Sequence, residues 1–195
     1  MTDNMPDRLK EALRLTHRLI RENLPLSYQQ KISNLVCARI RKLDQYRYAS
    51  RIALYQAVKG EIKLDSLWNS APLQGKYCFF PALNENKTLS FLPATPKTPF
   101  KPNQFNIPEP DVSRDLALEP SKIDIIFMPL IAFDRHGTRL GMGAGYYDRT
   151  MANKKLPLLI GVAYEFQRVS YIAPQPWDIP LAGIVTEKSV YWSNS

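Results

Sequence analysis

The sequence predicts an α/β layered fold with a largely parallel sheet, because strand patterns alternate with helical ones along the chain. Two runs carry most of that expectation. Ile123-Asp-Ile-Ile-Phe-Met128 and Leu156–Tyr164 are almost wholly apolar, as in strands covered on both faces. A chain of 195 residues suits a single domain spanning residues 1–195.

Residues 6–23 read as a helix, with Pro6 suited to its first turn. Advancing about 100° per residue places Lys10, Arg14, His17, Arg18 and Arg21 in one arc. Leu9, Ala12, Leu13, Leu19 and Ile20 fall on the other side. The expectation is a helix that packs its apolar face and presents a basic stripe, taken first as a solvated face. Leu24-Pro25 breaks this helix, and Ser27 is placed to cap a second one running to about Leu43. Arg51–Val58 reads as a strand, followed by a short helix around Leu64–Ser70. Lys76–Pro81 and Thr88–Leu92 read as two more strands, joined by a turn at Asn84–Lys87. Six prolines in the 18 residues from Pro93 to Pro110 exclude a regular helix or a central strand. Phe100, Phe105 and Ile107 favour a loop that packs over a disordered linker. Pro129 ends the strand that begins at Ile123, and Arg135-His-Gly137 makes a turn. A glycine-rich segment follows, then a helix from about Tyr146 to Asn153, and a last strand near the core at Gly183–Glu187.

The net charge of +8, from 26 basic and 18 acidic residues, points to anionic partners. Nucleic acid and phosphorylated or polycarboxylate small molecules fit it equally. Among the longest apolar runs, Ile123–Ile131 is too short to span a bilayer and is interrupted by Asp124 and Pro129. The expectation is a soluble, cytoplasmic protein without a membrane partner. Cys37 and Cys78 read as small buried hydrophobes, and the two histidines show no zinc-ligand spacing.

The chemistry concentrates in Arg139-Leu-Gly-Met-Gly-Ala-Gly-Tyr-Tyr-Asp148. Gly141, Gly143 and Gly145 sit between a buried strand and a helix. Glycines there let successive backbone N–H groups close on an anion, and the following helix adds its positive end. The spacing G-x-G-x-G matches neither the dinucleotide fingerprint nor the Walker loop. Taken alone, the segment is a phosphate loop or a tight strand-to-helix turn. Asp148 is either an acidic residue favourable in a first helical turn or a Mg²⁺ ligand beside phosphates.

A longer run resembles a known signature. Met128-Pro-Leu-Ile-Ala-Phe-Asp-Arg-His-Gly-Thr-Arg-Leu-Gly-Met-Gly-Ala-Gly-Tyr-Tyr-Asp-Arg149 is similar to that of the 5-formyltetrahydrofolate cyclo-ligase family, also called 5,10-methenyltetrahydrofolate synthetases. Lys10-Glu-Ala-Leu-Arg14, Gly60-Glu61 and Asn106-Ile-Pro-Glu-Pro110 resemble further elements of that family in the same order, so the likeness covers roughly residues 8–190. It implies a three-layer α/β/α sandwich like that of ribose-phosphate isomerase and the coenzyme A transferases. It also implies conversion of 5-formyltetrahydrofolate to 5,10-methenyltetrahydrofolate with ATP, Mg²⁺ and release of ADP and phosphate. For ATP the resemblance implies Lys10, Arg14, Arg139 and the run Leu140, Gly141, Met142, Gly143, Ala144 and Gly145, with Tyr146 and Tyr147 adjoining. For the folate it implies Gln56, Glu61, Phe105, Tyr146 and Tyr147, and for the metal Asp148.

Arg18 and Arg21 are expected to be solvated charges. No protein nucleophile is expected, because an iminium phosphate can be made by phosphorylating the formyl oxygen directly. The chain departs from the family at Met142 and Ala144, where some members carry a basic residue. It departs also at Ala182, where a second carboxylate is usual and Asp178 is the substitute at hand. A monomer or weak homodimer acting on small molecules, not on nucleic acid, follows from this reading. The alternative is a nucleic-acid-binding module using the basic N-terminal helix.

Overall fold

The computed structural model describes residues 5–152 and 155–193. Three helices come first: α1 (Met5–Glu22), α2 (Leu26–Arg41) and α3 (Asp44–Tyr48). Then follow β1 (Arg51–Ala53), α4 (Asp65–Ser70), β2 (Tyr77–Leu83), β3 (Leu89–Pro93), β4 (Phe100–Pro102) and β5 (Pro108–Pro110). The second half holds β6 (Ile125–Pro129), β7 (Ala132–Phe133), β8 (Arg139–Leu140), α5 (Tyr146–Met151), β9 (Leu158–Val162), β10 (Gly183–Val185) and β11 (Val190–Trp192).

Seven strands form one sheet in the order β11-β10-β9-β6-β1-β2-β3. The pairs from β10 to β2 are parallel, and the edge strands β11 and β3 run antiparallel to their neighbours. This is the mostly parallel α/β sheet expected. Alternate residues of the central strands feed two cores. Ile52, Phe80, Ile125, Phe127, Ile160 and Val162 pack with Ile32, Val36 and Ile40 of α2 and Leu67 of α4. Ala53, Phe79, Ile126, Met128 and Leu159 pack on the opposite face with Met151 of α5 and Phe133 of β7. Both faces are thus covered, which is why these strands carry apolar residues at consecutive positions.

Helix α1 is turned the other way round from the expectation. Lys10, His17 and Arg21 are buried, while Leu9, Leu15, Leu19 and Ile20 are exposed. The reason is that the underlying surface presents a row of carbonyl oxygens beside the apolar patch of Ile131, Ala132 and Leu140 that Leu13 packs against. Leu130, Ile131, Gly141 and Lys59 all offer a carbonyl to a cationic or imidazole side chain of α1. A buried charge supplied with such acceptors is tolerated where a leucine there would leave the carbonyls unpaired. Arg21, expected as a solvated charge, is only 1% exposed. Arg18 does stay at the surface, 3.9 Å from Glu22.

Other departures are local. Ser27 lies inside α2, whose N-cap is Pro25 and whose cap makes no side-chain hydrogen bond. The strand expected over residues 51–58 keeps sheet pairing only through Ala53, because the chain then leaves the sheet to build a turn. Helix α3 was not anticipated. Lys76 closes it, donating to the carbonyls of Arg47 (3.1 Å) and Ala49 (2.6 Å) and standing over the Tyr46 ring. The proline-rich segment folds as a hairpin of β4 and β5, whose non-proline pair Lys101 and Glu109 face each other between flanking prolines. Phe100 anchors that hairpin in an aromatic cluster with Trp68 and Phe80. Strand β11 is a short antiparallel edge that the apolar pattern does not mark. Helix α5 ends at Met151; Asn153, where the helix was expected to end, lies outside the described residues. Both cysteines are free and buried, and burial pushes the Cys78 thiol up to about 12. Among the described residues no helix is long and apolar enough to cross a membrane.

Candidate active site

In the sheet order, β1 and β6 are neighbours. From β1 the chain proceeds to β2 and β3 on one side, and from β6 to β9 and β10 on the other. That reversal opens a crevice beyond the carboxyl ends of β1 and β6, where open α/β sheets bind ligands. The segments entering it are residues 54–61, 130–145 and 163–167. Helix α1 lies across this edge and is stitched to it. The Arg14 Nε donates to the Gly141 carbonyl (3.1 Å), and the Arg21 Nη1 to that of Leu130 (3.1 Å). His17 Nδ1 lies 3.1 Å from the Ile131 carbonyl oxygen. Burial lowers the His17 pKa, the carbonyl opposes that shift, and the Arg21 charge adds to it.

Strand β8 leads into the glycine loop. A Cβ at Gly141 would meet nothing within 4 Å, so no contact within the protein demands glycine there. At Gly143 the backbone has φ +100, a conformation that favours glycine, and a Cβ would approach only the Arg14 guanidinium, at 3.6 Å. The loop is therefore open on the side that α1 faces. Lys10 sits one turn before Arg14, 8% exposed, and no hydrogen bond or ion pair engages its ammonium among the described residues.

Arg139 and Asp148 form an ion pair at 2.6 Å. Arg139 Nη1 also donates to the Ile179 carbonyl, and Asp148 Oδ1 accepts from the Ile179 amide at 3.1 Å. Asp148 Oδ2 has no hydrogen bond among the described residues, where no group of three or more metal-ligating side chains occurs either. Helix α5 has only six residues, so it adds little dipole to the loop. Asp178 spends its carboxylate on its own turn, accepting from the Gln175 amide at 2.8 Å. Arg149, which the sequence did not single out, donates to the Ala144 carbonyl and stands 5.7 Å from the Tyr146 ring centre.

On the far side of the crevice, Glu61 is buried, with Oε2 accepting from the Val58 amide (3.1 Å) and Oε1 3.5 Å from Arg21 Nη2. Desolvation raises its pKa, against the Arg21 charge, the Val58 amide and the Lys59 charge. Half-buried Tyr147 is also raised, first by desolvation, then by the Glu61 charge, and opposed by Arg139. Tyr147 thus lies within electrostatic reach of both the carboxylate and the loop cation. Tyr146 instead meets Phe105 edge to face, centroids 6.4 Å apart. Glu109 clamps the hairpin that carries Phe105, accepting from the Leu83 amide and the Asn103 side-chain amide, both at 2.8 Å. Gln56 is half-buried just beyond β1.

The 5-formyltetrahydrofolate cyclo-ligase family profile matches residues 6–187. The chain belongs to the 5-formyltetrahydrofolate cyclo-ligase family. A Haemophilus influenzae 5-formyltetrahydrofolate cyclo-ligase is 38% identical over 180 residues, covering 90% of this chain and 96% of the relative. The Escherichia coli K12 enzyme of the same name is 32% identical over 177 residues, covering 88% and 96%. The solution structure of an Aquifex aeolicus 5,10-methenyltetrahydrofolate synthetase superposes with TM-score 0.83 at 33% identity, covering 96% and 94%.

Within this cyclo-ligase fold the signature has two kinds of work. Asp134 is fully buried, and its carboxylate accepts from the amides of His136 (2.9 Å), Thr138 (3.1 Å) and Ile172 (3.0 Å). It shapes the β7–β8 turn that delivers the glycine loop. The glycine loop and Arg139 follow directly on that turn. Arg21, read from the sequence as a solvated charge, instead donates to the backbone carbonyls of Lys59 and Leu130. The one clue to Arg21 was its place in the arc shared with Lys10 and Arg14.

Proposed function

We propose that this enzyme converts 5-formyltetrahydrofolate to 5,10-methenyltetrahydrofolate in an ATP- and Mg²⁺-dependent reaction that releases ADP and phosphate. One observation carries the reading: two chemically distinct subsites meet at the sheet's switch point, with Tyr147 between them. On one side stand the unpaired Lys10 ammonium, Arg14, Arg139 and the open run from Leu140 to Gly145, a set suited to a triphosphate. To the folate we assign the Glu61 carboxylate and the aromatic rings of Tyr146 and Phe105, which meet each other edge to face. A carboxylate accepts hydrogen bonds from the amino group and ring N–H of a pterin, and flat rings pack against aromatic side chains. We assign Gln56 to the same pocket.

The reaction asks for positioning and charge neutralisation. The formyl oxygen takes the γ-phosphoryl group of ATP, giving ADP and an iminium phosphate on N5. The substrate's N10 attacks the activated carbon, loses its proton, and the carbon–oxygen bond breaks to release phosphate. Lys10, Arg14 and the loop amides hold the transferring group in line and offset its negative charge. Glu61 and the rings hold the pterin so that its formyl group faces the loop. No protein nucleophile is required. Mg²⁺, when bound with ATP, neutralises phosphate charge, and the unengaged Oδ2 of Asp148 is the protein oxygen that fits it; such sites commonly take one carboxylate plus substrate phosphates.

The nucleic-acid alternative needs the basic stripe of α1 at the surface, and Lys10, His17 and Arg21 of that stripe are buried. The direct test mixes purified protein with 5-formyltetrahydrofolate, Mg²⁺ and ATP and follows the near-ultraviolet absorbance of methenyltetrahydrofolate. ATP-dependent product is expected; folded protein that gives none overturns the proposal.

A further inference from the structure

We propose that Arg21 is a positioning residue for the folate subsite: it supplies the counter-charge of the Glu61 carboxylate and aims it into the crevice. This rests on Glu61 being the pterin-binding carboxylate. Three observations lead to it, and none depends on the glycine loop.

The first is the reach of the guanidinium. Its Nε donates to the Lys59 carbonyl (2.9 Å) and its Nη1 to the Leu130 carbonyl (3.1 Å), while Nη2 stands 3.5 Å from Glu61 Oε1. One side chain therefore ties the turn after β1 to the loop after β6, the two segments that bound the crevice. At 1% exposure the group is cut off from water.

The second is the shape of the turn. Lys59 has φ 50 and Gly60 φ 72, two successive left-handed residues. The Glu61 amide donates back to the Val58 carbonyl (3.0 Å), and the Val58 amide holds Glu61 Oε2. A Cβ on Gly60 would lie 2.3 Å from the Arg21 carbonyl oxygen, so the turn is moulded onto the backbone of α1 at Arg21. The Tyr164 hydroxyl donates to the Gly60 carbonyl from the far side (3.0 Å). Strained backbone of this kind gathers where a side chain has to be held in place.

The third is charge. The groups facing Glu61 are Arg21 from α1, Lys59 from its own turn, Tyr55 from the segment after β1, Tyr147 from α5 and Tyr164 from the segment after β9. Burial raises the pKa of all three phenols, so they stay neutral, and Lys59 is exposed. Arg21 is thus the buried cation of this set. Of the influences opposing the desolvation of Glu61, its charge is the largest.

The sign follows. A carboxylate accepts from two pterin donors, whereas a protonated carboxyl turns one oxygen into a donor and loses that match. Folate affinity therefore falls as pH drops through the Glu61 pKa. Removing the Arg21 charge raises that pKa further and moves the loss to higher pH. The experiment measures 5-formyltetrahydrofolate affinity calorimetrically, without ATP, over a pH series that brackets the loss of affinity. For Arg21→Gln the low-pH limb is expected to move up by about one pH unit or more, the effect of losing an opposite charge at this range. A uniform loss of affinity with the limb unmoved overturns the inference, since that is what a merely structural role gives. Arg21→Lys keeps the charge in a smaller frame and is expected to leave the limb near its wild-type position even where affinity drops. A limb displaced upward by about one pH unit or more in Arg21→Lys, relative to wild type, counts against the proposal, and this arm stands even if Arg21→Gln does not fold. Glu61→Gln separates the two levels. It is expected to weaken binding and remove the limb. If it does neither, the assignment of Glu61 fails; if it does both while Arg21→Gln leaves the limb in place, only the role of Arg21 fails.

Discussion

Lys10→Met is expected to lower kcat/KM for ATP by about 100-fold, the scale of losing one preorganised charge at a phosphoryl-transfer site. Folate affinity should stay within about twofold, because the folate subsite depends on other side chains. The structure adds a second expectation for the same variant. No protein group pairs with the Lys10 ammonium among the described residues, so replacing it removes no interaction that holds the fold. Methionine fills similar space, so the melting temperature should hold. Loss of activity with stability unchanged is the mark of a group retained for its ligand. Steady-state kinetics with each substrate varied, beside thermal denaturation without ligand, checks both halves. A variant that melts lower and uses ATP normally contradicts the assignment.

Arg139→Ala is expected to lower stability while also harming nucleotide binding. Arg139 bridges Asp148 and the Ile179 carbonyl with a side chain only 7% exposed. Breaking such a pair costs about 3 kcal/mol, which at roughly 2–4 °C per kcal/mol for a domain this size lowers the melting temperature by about 6–12 °C. A guanidinium has five N–H donors, and the fold uses those on Nη1 and Nη2 that reach Ile179 and Asp148. The remaining donors are available to phosphate, so ATP affinity, measured well below the melting transition, should fall at least about tenfold. Folate affinity should change by no more than about threefold. Unchanged ATP affinity in folded Arg139→Ala would make the residue a brace for the loop and for Asp148 alone.

The parts of the molecule that announce themselves in the sequence are those in which side-chain pattern decides structure. The consecutive apolar residues of β6 and β9 are legible because both of their faces are covered. The glycine loop is legible because alternating glycines between a strand and a helix have few uses. What is hidden depends on backbone acceptors far away in sequence. The basic arc of α1 is visible, but its direction is set by carbonyls of Lys59, Leu130, Ile131 and Gly141, which leave no side-chain trace. By amphipathicity alone α1 would face the other way, and Arg21 would be in water. The β4–β5 hairpin is hidden because prolines argue against strands. It forms at the two positions, Lys101 and Glu109, that lie between them. Asp134 and Glu109 stand in recognisable motifs, yet only the structure shows that Asp134 accepts from three backbone amides and Glu109 from the Leu83 amide and the Asn103 side chain.

The claim on which the rest depends is that ATP activates the formyl oxygen of the folate, in a crevice where loop amides and α1 cations face the Glu61 pocket. It is tested most directly with 5-formyltetrahydrofolate carrying ¹⁸O in the formyl group, turned over with unlabelled ATP in ordinary water. The account predicts that each phosphate released carries one ¹⁸O atom, because the oxygen that receives the phosphoryl group leaves with it. Phosphate without the label, formed in step with methenyltetrahydrofolate, would contradict it.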